Sequence, residues 1–417
     1  MNFFRLFLLF VLNISIAYAG TDTSWPCFHG PQRNNISTET GLMQSWPDKG
    51  PELLWTNSEI GHGYSTVSIA NNRIFTAGMK DKQTYVTALD MAGRKLWQAL
   101  NGQSWEASEQ QTWAVPYSGS RSTPTVDGDT VYHLSDLGRL TAFNVNNGEQ
   151  RWHIELLEAF EAEIPEYGYS ESVLIHGDML LCCPAGAKGY MAAIDKRTGK
   201  TLWASPEIKE PAGNCSSVIG RIGDIEQVIT LSASSVLSFD LNNGNLLWQY
   251  PFENSRENNI ADAIVSNGLV YASSGYGKGS VLLRPQLQAD GKFSIEPVWT
   301  SELLDNHHGG VLLYDGYLYG SGQESRGWFC LEFMTGNQMW QTDGKGSLIY
   351  ADNRLYLFNE RGTMSLIKAT CEKYDEVGQL NVARGGDGLF WAHPVVCGGK
   401  LYIRHSEKLY AYDISAK

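Results

Sequence analysis

The sequence predicts an all-β fold, an eight-bladed β-propeller of four-stranded blades, with seven blades as the alternative count. Three observations predict it. First, one phrase recurs along the chain: "ALDMAGRKLW" ending at Trp97, "AFNVNNGEQRW" at Trp152, "AIDKRTGKTLW" at Trp203, "SFDLNNGNLLW" at Trp248 and "CLEFMTGNQMW" at Trp340. Shorter remnants end at Trp55 and Trp299, and successive Trp residues lie 41 to 55 residues apart. A period of roughly 40–50 residues is the size of one four-stranded blade. Second, short apolar runs between the phrases are bounded by Asn-Gly, Asp-Gly and Gly-Asp pairs, which mark tight hairpins, and no stretch keeps a helical period for long. Third, an aromatic content of 12%, with 13 Trp and 20 Tyr, suits pleated strands.

Each unit fills in as four strands. In the third, "ESVLIHGD" gives a strand and turn, "MLLCCPA" a second strand, "YMAAID" a third, "RTG" a turn and "KTLWAS" the fourth. "STPTVDGD", "TVYHLSD", "RLTAFN", "NNG" and "EQRWHIE" repeat this in the second unit. Within the phrase, Asp and Gly form the turn, with Gly supplying positive φ and the Asp side chain bonding local amides. Trp opens the outermost strand and packs between blades. The first six units start near Tyr64, Ser122, Glu171, Ser216, Ala261 and Gly309; a seventh, from Gly346, lacks the Trp, and an eighth, from Ala392, stops after three strands. The segment "PELLWTN", residues 51–57, supplies the missing strand, so that the N-terminal strand completes the last blade and no sheet edge stays open.

Residues 1–19 read as a signal peptide: Arg5, the apolar run "LFLLFVL" and the small-residue end "AYA" at Ala19. No Cys follows to take a lipid, and no later run approaches the ~18 apolar residues of a spanning helix. The expectation is a periplasmic or secreted, monomeric protein without membrane insertion. Its parts are a signal peptide (1–19), an N-terminal extension (20–50) and a single propeller domain (51–417). A net charge of −13 argues against a nucleic-acid partner, which calls for clustered Lys and Arg. Seven scattered Cys residues form neither a compact disulfide framework nor a zinc pattern, and read as small buried apolar groups.

The A-x-D-x-x-T-G-x-x-x-W phrase resembles the tryptophan-docking repeat of pyrroloquinoline-quinone (PQQ) propellers. That superfamily includes quinoprotein alcohol dehydrogenases and the propeller lipoprotein of outer-membrane barrel assembly. "WPCFHGPQRNNIS", "HHGGVLLYDGYLYGSGQESRGWFCLEF" and "WAHPVVCGGKLYIR" look similar to exported PQQ-like repeat proteins of bacteria, a family without a settled activity. Fold transfers on such a resemblance; activity does not.

Chemistry in a propeller belongs in the loops that lead into the innermost strands, because these meet at one mouth of the central channel. The eight loops read "GHGYST", "SGSRST", "YGYSES", "AGNCSS", "NNIADA", "DNHHGG", "GKGSLI" and "FWAHPV", and hold four of the nine His residues. Candidate ligand-binding residues are His62, Tyr64, Arg121, Tyr169, Glu171, Asn214, Asp262, His307, His308 and His393. The resemblance to dehydrogenases implies PQQ and calcium as possible cofactors. Glu171, Asn214 and Asp262 would then be the metal set, Asp262 the catalytic base and Arg121 a group polarising the quinone. It also implies a Cys182–Cys183 disulfide over the quinone, whereas the pair's place inside a second strand favours a buried apolar role. Trp391 is the one candidate for a stacking floor. His307 and His308, with His393 or Glu171, are a candidate transition-metal set. The long links Asn101–Arg121 and Leu156–Glu171, with Trp105 and Trp113, suit a partner or a sugar face, or fold over the end of the ring. The leading expectation is a non-catalytic binding or scaffold module for a protein, peptide or carbohydrate. A PQQ- and calcium-dependent alcohol dehydrogenase and an outer-membrane barrel-assembly scaffold are the alternatives.

Overall fold

A computed structural model describes residues 24–107 and 117–417; the signal peptide and Trp113 lie outside the described residues. Eight sheets of four antiparallel strands succeed one another along the chain. Blade 1 runs outward from Ser68–Ala70 to Lys95–Gln103, blade 2 from Thr125–Asp127 to Gln150–Glu155, and blade 3 from Leu174–His176 to Thr201–Ala204. Blades 4 to 7 begin with Val218–Ile222, Ile264–Ser266, Val311–Tyr314 and Gly346–Ala351. Blade 8 takes three strands from Val395 to Asp413 and its fourth from Glu52–Asn57, which pairs antiparallel with Lys408–Asp413. The ring is closed as the sequence predicts. One described helix, Leu156–Phe160, falls in the long link after blade 2 and buries Leu156 and Phe160.

The recurring phrase is explained residue by residue. Its first position lies directly across from its Trp: Ala88 faces Trp97, Ala142 faces Trp152, Ala193 faces Trp203, Ser238 faces Trp248 and Cys330 faces Trp340. A small residue there leaves room beside the large ring on the same face of the sheet. The Asp accepts turn amides, as Asp195 Oδ1 does from Arg197 (3.0 Å) and Thr198 (2.8 Å). The Gly receives the Trp of the preceding blade. A Cβ on Gly199 (φ +73°) would meet the Trp152 ring at 2.9 Å, and one on Gly244 the Trp203 ring at 2.4 Å. Six rim indoles, those of Trp55, Trp97, Trp152, Trp203, Trp299 and Trp340, donate to a carbonyl of the next blade at 2.8–3.2 Å. The apolar core is correspondingly divided into clusters between neighbouring blades, such as Leu134, Phe160, Val173 and Cys182 between blades 2 and 3, or Leu181, Cys183, Val228 and Phe239 between blades 3 and 4.

Residues 24–50 are woven into the ring. Ile36–Ser37 pairs parallel with the inner strand of blade 7 and makes that sheet five-stranded. Trp46, whose backbone N–H reaches the Val377 carbonyl at 3.2 Å, packs against Tyr356 on the blade that lacks a phrase Trp. Trp25 exchanges two backbone bonds of 2.7 Å with Ile69 of blade 1, and the Pro26 carbonyl accepts Val126 N–H of blade 2.

Gly199→Ala combines positive φ with overlap on Trp152 and should cost about 1–3 kcal/mol. Gly128→Ala, with φ +56° and nothing within 4 Å, carries the backbone strain alone and should cost about 1 kcal/mol. Denaturant midpoints of the two variants check this ordering. Deleting residues 51–57 bares the edge of Lys408–Asp413 and should lower the melting temperature of the whole ring; an unchanged melting curve would refute the closure argument.

Candidate functional site: a plugged channel with an aromatic cup

The innermost strands are joined around the channel by a belt of side-chain to backbone bonds. Thr66 N–H donates to Thr123 Oγ1 (3.1 Å), Thr123 N–H to Ser172 Oγ (2.9 Å), Ser172 N–H to Ser216 Oγ (3.0 Å) and Ser216 N–H to Asp262 Oδ1 (2.6 Å). On the other side Thr66 Oγ1 donates to the His393 carbonyl at 2.5 Å. The Ser and Thr of the lead-in loops are therefore clasps between blades. Asp262 and His393 occupy belt positions but carry side chains large enough to reach inward.

What they meet is the N-terminal extension. Residues 25–35 fold into tight turns, with positive φ at His29 (63°), Gly30 (80°), Arg33 (51°) and Asn35 (60°), and cross the channel as a plug. His29 Nε2 lies 2.9 Å from His393 Nδ1, and His29 Nδ1 lies 3.3 Å from Asp262 Oδ2. The latter contact makes no hydrogen bond, and Oδ2 has no hydrogen-bond partner among the described residues. His393 Nε2 faces the His308 carbonyl at 2.8 Å, so that nitrogen carries a proton. Burial, then the neighbouring His29, holds His393 well below the usual histidine range and hence neutral. Its Nδ1 is therefore the acceptor and His29 Nε2–H the donor. Arg33 donates to the carbonyls of Ser172 (2.8 Å) and Val173 (3.2 Å), and the Asn35 amide to that of Leu348.

The plug leaves a cavity of about 360 Å³ on the loop side and another of about 180 Å³ further along the inner strands, with His29, Asp262 and Gly310 common to both. The larger is a cup floored by Phe28, His29 and His393. One wall is Trp391, its ring stacked on Tyr117 at 4.7 Å and 15°, with Tyr64 and His308 beside it. Facing it are Trp105, Tyr167 and Tyr276. Glu360 organises the first wall through Oε1, which accepts His308 Nε2 (2.7 Å), Trp391 Nε1 (2.8 Å) and Lys345 Nζ (3.2 Å). Burial alone would raise the Glu360 carboxyl, but the hydrogen bonds from His308 and Trp391 and the charge of Lys345 outweigh burial and hold it at about 2.

Seven of the ten candidate residues line this cup: Tyr64, Arg121, Asn214, Asp262, His307, His308 and His393. Three do not. His62 Nδ1 is bound to Ser406 Oγ at 2.7 Å, and the Tyr169 hydroxyl donates to the Pro184 carbonyl at 2.9 Å. Glu171 is buried, accepting Cys183 N–H (2.8 Å) and Ser217 Oγ–H (3.2 Å). His307 and His308 split as their adjacency requires, one to the Tyr276 hydroxyl at 2.9 Å and the other to Glu360. Trp105 is buried and donates to the Glu166 carbonyl at 3.2 Å, so it folds over the ring. Sequence reasoning missed Phe28 and His29, Tyr117, Tyr167 and Tyr276. The aromatic pair inside "WPCFHG" was the available signal for the first two.

These contacts bear on the calcium and quinone set. Glu171 spends both oxygens on protein donors away from the cup. Asn214 Oδ1 accepts Ser170 Oγ–H (3.1 Å), and its amide donates to Asn258 (2.6 Å). Asp262 is held by Ser216 and faced by His29. Calcium takes six to eight oxygens, and this arrangement does not fit it. No cluster of three or more His, Cys, Asp or Glu suited to a metal occurs among the described residues. Cys182 and Cys183 pack into clusters on opposite faces of their sheet, so neither forms a lid over the cup.

Fold and site together define an eight-bladed propeller whose channel is plugged by its own N-terminal segment. A family model described as outer membrane protein assembly factor BamB matches residues 82–342, more than half of the chain, and the chain belongs to that PQQ-like family. It is similar to the outer membrane protein assembly factor BamB of Burkholderia pseudomallei (strain K96243), 22% identical over 268 residues, covering 55% of this chain and 67% of that one. Among solved structures it resembles BamB from Moraxella catarrhalis, with 13% identity, TM-score 0.60 and coverage of 88% and 98% of the two chains. It also resembles a europium-containing methanol dehydrogenase, with 12% identity, TM-score 0.65 and coverage of 92% and 89%. At such identities the structural likenesses speak to the fold alone.

Glu171 gives a pH prediction. Burial, opposed by the Cys183 amide and Arg33, raises its carboxyl from 4.5 to about 7. A value raised in the folded state favours folding below pH 4.5, and that contribution is lost as pH rises to about 7. The stability of the wild type relative to Glu171→Gln should therefore fall by on the order of 3 kcal/mol across that window. Denaturant titrations at several pH values check it, and a flat difference would overturn it.

Proposed function

We propose that this protein is an exported, non-catalytic binding module that takes part of a protein, peptide or carbohydrate partner into the cup at its channel mouth. The cup itself carries the reading. It is a concave site of small-ligand size, walled by aromatic rings from several blades, closed beneath by the plug and held rigid by the inter-blade belt. Such a site offers ring faces and hydrogen-bonding groups without bond-making machinery. The oxygens of Glu171 and Asn214 are engaged by protein donors, and the Ser hydroxyls of the belt are spent as acceptors of backbone N–H groups. A dehydrogenase activity drawing on PQQ and calcium therefore has weaker support than binding. Family membership supports a role as an assembly scaffold at the outer membrane, and an exported location goes with it.

Probing glycan and peptide arrays with the purified protein tests the reading. Specific binders are expected, and Trp391→Ala, which removes one wall of the cup, should weaken them about tenfold or more while leaving the melting temperature within a few degrees. Binding that survives Trp391→Ala intact would remove the cup from consideration.

A further inference from the structure

Arg121 brings a guanidinium to the lining of the cup. It donates to the backbone carbonyls of Tyr167 (2.8 Å) and Tyr117 (2.6 Å), and its guanidinium lies over the Trp105 ring at 4.9 Å. Among the described residues no carboxylate comes within 4.0 Å of it. Asp136, the carboxylate that acts on it from farther off, is itself buried, which raises its carboxyl; its Oδ2 accepts Ser104 Oγ–H (2.5 Å) and Trp105 N–H (3.3 Å), and its Oδ1 makes no hydrogen bond to the described residues. Arg121 is held on one face and at two of its five N–H groups, with three N–H left over.

The other groups of the cup do not balance this charge. Asp262, a carboxylate of the cup, lies against His29 and not against Arg121, while burial keeps His307 and His308 below the usual histidine range and neutral. Among the described residues, Arg121 is therefore a cation that no carboxylate contacts, in a largely apolar cavity. A desolvated charge of this kind is costly until an anion meets it, and a guanidinium fixed by its surroundings pairs with a planar or tetrahedral oxyanion at little further entropy cost. The rest of the lining says what carries the anion. Trp391, Tyr167 and Tyr276 offer ring faces, whereas Ser170 and the joined amides of Asn214 and Asn258 line the same cup with polar groups, the Asn214 amide giving one of its two N–H groups to Asn258. A flat aromatic acid would bury those amides unsatisfied. A hydroxylated ring would satisfy them.

Building on the reading of the cup as a binding site, we propose that its ligand is an acidic sugar, with a carboxylate or sulfate on Arg121 and the pyranose ring against Trp391. The experiment is titration calorimetry with four probes: galacturonate, galactose 6-sulfate, galactose and benzoate. They are titrated into the full mature chain and into Arg121→Gln, Arg121→Lys and Trp391→Ala, each first compared with wild type by melting curve. Wild type should bind one or both acidic sugars about 10- to 100-fold more tightly than galactose. Which of the two binds identifies the anion. Arg121→Gln should abolish that advantage, so that the acidic sugars bind it no better than galactose does, Arg121→Lys should restore part of it, and added salt should weaken it. Acidic sugars bound no better than galactose, or equally well by Arg121→Gln, would overturn the inference while leaving the cup intact as a site. Preference for benzoate would overturn the sugar. Binding of none of the probes overturns the inference, and binding indifferent to Trp391→Ala overturns the cup reading as well.

Discussion

Everything in this molecule depends on each blade having a neighbour on both sides. A four-stranded sheet whose two faces are apolar cannot face water, and here apolar clusters fill the spaces between adjacent sheets. The contact that sets the spacing is a rim indole lying on the turn glycine of the next blade and donating to a carbonyl there. Because that glycine is at positive φ and has no side chain, turn geometry and inter-blade packing are decided by the same residue. The demand for a neighbour also explains the closure: blade 8 is a complete sheet only because residues 52–57 return to it. Both ends of the chain are thereby committed to one blade.

At the centre the constraint is reversed. The inner strands cannot pack against one another across the channel, so they are tied sideways by hydroxyls that accept the backbone N–H of the neighbouring blade. Those hydroxyls are small and leave a hole, which the N-terminal segment fills. His29 and Arg33 bring polar side chains to Asp262 and to the carbonyls below Glu171. Asp262 thus faces a side chain of the same chain at the centre of the ring. The cup on the loop side is what the plug leaves over, and its depth is set by where His29 meets His393 and Asp262.

Much of the architecture was legible in the sequence because its determinants are local and repeated. The small residue, Asp, Gly and Trp of each phrase recur at fixed offsets, and a ring of similar blades admits few counts once the period is known. The lead-in loops were legible too, and seven of the ten residues chosen from them line the cup. The other three show the limit of that reasoning. Glu171, Tyr169 and His62 sit in the same loops, but a shift of one position along an extended segment turns a side chain from the channel into the packing between blades. No property of the loop sequence announces which way it turns.

By itself the sequence determined the blade, the direction of the chain through it and the closure by residues 51–57, since these follow from hairpin chemistry and from a repeat whose spacing matches one sheet. Only the tertiary structure decided what stands at the channel mouth. Phe28 and His29 lie far in sequence from Asp262, His308 and His393, and Trp391, Tyr117 and Arg121 meet through loops of unlike length. Convergence of that kind depends on how eight blades curve into a ring, and no local pattern encodes it.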